Sequence, residues 1–137
     1  MKSSFLTLLL MVLTLAGCKK QLSFDERCEK EARMLNLKYC PRQVSDCVMS
    51  DSIAYLPSEK ALCYYYTFSD ELDDTEAIRQ GEPEFRNALK AEIISSIELK
   101  KYKDHGVTFK YIYFSSSSHE VLLEEIFTKK DYSPLPR

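Results

Sequence analysis

A short apolar run near the start of the chain, Phe5 to Leu15, decides how much of the sequence is left to fold. Lys2 precedes it, and Gly17, Cys18 and then Lys19-Lys20 follow it. A helix that crosses a bilayer needs about 20 apolar residues, and this run stops well short of that. A basic start, a short apolar centre and small residues at its end make an export signal, against the blander alternative of a short uncleaved anchor. Taking residues 1–17 from the 137 leaves 120, enough chain for one domain.

Leu15-Ala16-Gly17-Cys18 resembles the lipobox of bacterial lipoproteins, a leucine and two small residues ahead of a cysteine. A plain secretory site would instead show an A-x-A-like pattern. The resemblance implies that Cys18 becomes a lipidated N-terminus carrying diacylglyceryl and amide-linked acyl chains of the palmitate kind. Each buried methylene contributes about 0.8 kcal/mol, so two chains already hold a protein to a membrane. Lys19 is not the aspartate of an inner-membrane retention signal, which points to the outer membrane. No acidic cluster of the surface-export kind follows at once, which points to its periplasmic leaflet. The expected division is 1–17 signal peptide, 18–23 lipidated cysteine and polar tether, 24–130 a single α+β domain, and 131–137 a loose tail.

With Lys2 removed, the mature chain carries 18 basic and 21 acidic residues, a balance that argues against phosphate-held nucleic acid as a partner. Three glycines in the whole chain leave no room for a glycine-rich phosphate loop. Nine Tyr and seven Phe give ample material for a core. Beyond Cys18, the even set Cys28, Cys40, Cys47 and Cys63 in an exported chain reads as two disulfides. A four-thiolate zinc site is the rival, but no C-x-x-C pair is present. A hairpin turning near Ser58 sets Cys63 opposite about Ile53, so a Cys47–Cys63 bridge would overstretch. The expected pairing is therefore Cys40–Cys47 with Cys28–Cys63, and Cys28–Cys47 with Cys40–Cys63 stays open.

Ser23-Phe24-Asp25-Glu26 is a capping box and starts a helix to about Leu37, with Phe24, Cys28, Ala32 and Leu35 on one side. Pro41 ends it. Val44–Leu56 reads as extended, with Met49, Ile53 and Tyr55 on one face. Ala61–Phe68 carries bulky groups on both faces and reads as a central strand. Ser69–Glu76 is acidic and turn-like. Glu82-Pro83-Glu84 looks like the opening of the main helix, whose stripe is Phe85, Leu89, Ile93 and Ile97 and which closes at Lys100–Lys103 before His105-Gly106. Val107–Phe114 is a strand, and Glu120–Thr128 returns antiparallel, although Ser117-x-x-Glu120 would also suit a helix start. The order predicts an α+β helix-strand-strand-helix-strand-strand domain, a four-stranded, mostly antiparallel sheet with two helices on one face. The stretch from Cys40-Pro41 through Tyr66, with Gly106-Val107-Thr108-Phe109-x-Tyr111, resembles small uncharacterised envelope lipoproteins, which implies no activity.

Candidate chemistry is sparse. His119 beside Ser115–Ser118 suggests an envelope hydrolase, but no nucleophile elbow occurs and a serine-rich hairpin loop is the simpler account. Asp70–Glu76 offers oxygens to calcium without the spacing of an EF-hand loop. Two histidines without HExxH spacing give no catalytic metal site, and no cofactor is expected. Tyr64, Tyr66, Tyr111 and Tyr113 are candidate binding residues if they lie on a sheet face the helices leave open, against the alternative that they complete the core. The sequence thus predicts a lipid-anchored, non-enzymatic envelope protein that binds an envelope protein or a glycan. An inhibitor or immunity-type lipoprotein that blocks a toxin or hydrolase is the alternative within the same class.

Overall fold

The computed structural model describes residues 17–133, so the apolar run, Leu15 and Ala16 of the lipobox, and the last four residues lie outside the described part. Residues 17–23 have no regular structure and lead into helix α1, Phe24–Tyr39. Its capping box is formed as expected: Glu26 N–H donates to Ser23 Oγ at 3.2 Å, and Ser23 N–H donates to the Glu26 carboxylate at 2.7 Å. Cys28 and Ala32 are its buried residues, and Phe24 stacks on His105 at 3.8 Å. A cis Cys40–Pro41 bond leads to β1, Arg42–Ser45, which turns back into β2, Val48–Leu56.

β3, Ala61–Phe68, is the centre of a five-stranded sheet ordered β1-β2-β3-β4-β5, with β4 at Thr108–Ser115 and β5 at Val121–Phe127. The predicted α+β class and mostly antiparallel sheet hold. A fifth strand, β1, is added at one edge; it is four exposed residues long and so has no alternation to read. The β3–β4 pair is parallel, because helix α2, Thr75–Ser95, and the short α3, Lys100–Asp104, carry the chain back before β4 begins. Residues 121–127 form the expected antiparallel strand.

The main helix starts earlier and stops sooner than its sequence suggests. Asp74 caps it, accepting from Glu76 N–H and Ala77 N–H at 2.8 and 3.0 Å, and Pro83 lies inside it. Ser96 then breaks it from α3. Leu89 and Ile93 are buried, but Ile97 falls in the break and is 86% exposed, so the stripe is shorter by one. A bulge at Asp51 in β2 reverses the alternation there: Met49 pairs with Thr67, whereas Ile53 and Tyr55 pair with Tyr64 and Leu62. Met49 therefore lies on the opposite face from Ile53 and Tyr55. The expected loose tail is docked at its start, since α4, Lys129–Tyr132, buries Tyr132, whose hydroxyl donates to Val107 O at 2.7 Å.

Both long helices lie on one face of the sheet, where Cys28, Ala32, Leu89 and Ile93 join Leu62, Phe68, Phe109, Tyr111, Tyr113 and Phe127 in the main core. The other face has a small cluster of its own, Ala61, Cys63 and Ile112, fringed by Leu56, Tyr65 and Phe114.

Candidate functional site

The two helices share a face but cover different strands. α1 packs on β2, while α2 packs towards β5 and α4. The central strand between them is left partly open, and a groove of about 650 Å³ runs there. Its floor is Ser50 and Ile53 of β2 with Leu62, Tyr64 and Tyr66 of β3. One wall is Glu31, Leu35 and Tyr39 of α1 continued by Arg42 and Val44 of β1; Glu98, Leu99 and Tyr102 form the other. The volume falls in the ordinary range for binding sites.

Local chemistry fixes this shape. Asn36 accepts from Ile53 N–H at 2.9 Å, and the Tyr55 hydroxyl donates to Asp25 at 2.6 Å, so α1 is held to β2 at both ends. Lys101 of α3 pairs with Glu31 of α1 and ties the walls together. Tyr64 stacks on Tyr111 with ring centres 5.0 Å apart, and Tyr66 on Tyr113 at 4.9 Å, because β3 and β4 set these residues side by side. Burial above all, with a smaller contribution from the Glu92 carboxylate, raises the pKa of all four phenols. Tyr66 is pushed up to about 12. The floor is therefore uncharged near neutral pH. The buried Tyr102 hydroxyl has no hydrogen-bond partner among the described residues.

The four candidate tyrosines are brought together on the sheet face that carries the helices, the alternative in which they join the core. They alternate with Ala61, Cys63 and Tyr65, and share their side with Leu62 and Phe68, so they point under the helices. Tyr111 and Tyr113 are core residues, 6% and 4% exposed; Tyr64 and Tyr66 are half-buried and line the groove.

All five cysteines are free thiols in the structure. Cys28 lies in the helix-side core and Cys63 on the other sheet face, so the sheet separates this expected pair. Cys40 and Cys47 flank the whole of β1, and four extended residues hold their Cα atoms well beyond the roughly 7 Å that a disulfide spans. Both bridges of the expected pairing, Cys40–Cys47 and Cys28–Cys63, are thus at odds with the strand and face assignments. Cys40 instead lies 3.7 Å from Ser50 Oγ in the groove, and Cys18 is exposed on the tether.

The serine loop is a turn. Ser115 is buried, and its hydroxyl accepts from Ser117 N–H and Ser118 N–H at 3.2 and 2.9 Å. His119 is exposed at a positive φ of 62°, and its side chain makes no hydrogen bond among the described residues. The acidic stretch is equally occupied. Asp73 accepts from the Ser116 hydroxyl and from Ser117 N–H, Asp74 caps α2, and Glu76 pairs with Arg79. Hydrogen bonds from Ser115 and Ser117, with a smaller one from Ser116, hold the Asp73 carboxyl below its usual range. No cluster of three or more metal-ligating side chains occurs among the described residues. Sequence reading missed the buried Glu125, which pairs with Arg86 of α2 while Arg86 lies 4.5 Å over the Phe127 ring. An acid on the inward side of β5 was its only signal.

The chain itself belongs to the family described as a domain of unknown function, DUF8479, which matches residues 23–123. No curated protein matches the sequence. Its fold is similar to that of a Pseudomonas aeruginosa protein described as secreted, with a TM-score of 0.65 at 13% identity over 81% of this chain and 98% of that one. The Vibrio vulnificus type 2 secretion system pilotin EpsS gives 0.60 at 12% identity, over 81% of this chain and 93% of that one. The Vibrio cholerae type II secretion system pilotin AspS gives 0.52 at 10% identity, over 78% of this chain and 90% of that one. Among the described residues no helix is long and apolar enough to cross a membrane.

Proposed function

We propose that this protein is a lipid-anchored envelope component that catalyses no reaction and holds a segment of another envelope protein in the groove over β3. The observation that carries the reading is the half-buried pair Tyr64 and Tyr66, left open between two helices that each cover a different strand. Tyrosine buries a large, rigid surface at low entropy cost, which suits a contact floor. Cys18, exposed at the end of a short tether, is the proposed acylation site, and the outer membrane's periplasmic leaflet the proposed location. The pilotin neighbours favour a partner within a secretion assembly, and a protein partner over a glycan.

The test is photo-crosslinking in cells from residue 44 on the groove wall and from residue 124 on the opposite sheet face. A discrete adduct from position 44, lost when Tyr66→Ala is added, supports the groove. Equal adducts from both positions, or none from position 44, would contradict it.

A further inference from the structure

We infer that the groove selects its partner by charge polarity: a helical segment lies along the tyrosine floor with a basic flank facing Glu98 and an acidic flank facing Arg42. This rests on the reading of the groove as the partner site and adds the chemistry of the occupant.

The helical form follows from the floor. β2 is paired to β1 and β3, and β3 to β2 and β4, so neither floor strand has a free edge. An extended occupant would find no backbone partners there, and buried backbone groups that go unpaired are costly. A helix satisfies its own backbone and needs only an apolar stripe for Ile53, Leu62, Tyr64 and Tyr66. A stripe at i, i+3, i+4 and i+7 leaves polar flanks facing the walls.

The polarity follows from the charges on those walls. Glu31 is already neutralised by Lys101. Arg42 on the β1 side and Glu98 on the opposite wall are both exposed and make no ion pair among the described residues. One wall therefore offers an unpaired acid, Glu98, and the other an unpaired base, Arg42. Opposed charges of this kind fix register and direction, and suppress wrong partners more than they add affinity.

The experiment uses the processed chain with Cys18→Ser, which removes only the acylation site, and three labelled helical peptides that share one leucine stripe. One peptide carries lysines on one flank and glutamates on the other, one carries lysines on both, and one glutamates on both. Fluorescence polarisation should rank the mixed peptide first. Glu98→Lys or Arg42→Glu alone should weaken it about fivefold, the size of an exposed charge pair. The double swap should restore it, because the peptide can then lie the other way round. If Val44→Asp abolishes binding while the charge variants change nothing, the polarity is wrong and the groove stands. If Val44→Asp leaves all three peptides unaffected, or no peptide binds, the groove reading fails with it.

Discussion

Two tyrosine pairs on adjacent strands differ in what covers them. Tyr64 and Tyr66 on β3 sit directly beside Tyr111 and Tyr113 on β4, ring against ring, and all four face the helices. Yet Tyr113 is closed in by Phe85 of α2 and by Phe68, with ring centres 5.3 and 4.6 Å away, while the β3 pair lies under the gap between α1 and α2. The same residue type thus serves stability on one strand and offers contact surface on the next. What separates them is the position of the helices, which strand periodicity alone does not encode.

The strongest way to break this contrast is on the covered side. Arg86→Ala leaves Glu125 buried without its partner and should cost about 3–5 kcal/mol in urea unfolding, whereas replacing both with apolar residues should recover most of the loss. Next, Tyr113→Ala should cost about 3–5 kcal/mol, because an aromatic core side chain leaves a cavity. Tyr66→Ala should cost about 1–2 kcal/mol, since that ring is half-buried and loses mainly its stacking and part of its burial. Equal costs for the two would erase the distinction.

Ile93→Ala, at 0% exposure, should cost about 2–5 kcal/mol, and Ile97→Ala less than about 0.5. The smallest effect is alkaline. Burial raises Tyr66 to about 12, so its folded form keeps a proton that the unfolded chain loses near pH 10. Its contribution is complete below that pH and is lost as pH rises towards 12. Tyr66→Phe should therefore flatten the fall in stability between those values, and an unchanged profile would show that Tyr66 is not the group involved.

Much of this fold is legible in the chain because the local signals are chemical. The Ser23–Glu26 box starts α1, and dense aromatics mark β3 and β4. Asp74, Thr75 and Glu76 also form a helix start, but Pro83 presents a second one well inside α2 and hides it. Pro83 is tolerated there although, lacking an N–H, it donates no hydrogen bond to the carbonyl of Arg79. The bulge at Asp51 shifts β2 by one residue and flips the faces, which alternation cannot show. For the site, the tyrosines themselves were legible, but Arg42, Val44 and Glu98 were not. They come from two segments, β1 and the residues just before α3, that meet only in the fold. The cysteine count suggested disulfides because export favours them, yet pairing depends on which sheet face each thiol occupies.

The most direct measurement is the reactivity of two thiols in intact cells. Cys40 and Cys47 are similarly half-buried, but only Cys40 lines the groove, and Cys28 and Cys63 are buried. A maleimide small enough to cross the outer membrane should label Cys47 at the same rate in cells and in the purified protein. Cys40 should label readily when purified and slowly in cells, where the partner covers it. Equal labelling of Cys40 in both settings would mean that nothing occupies the groove, and would contradict the account.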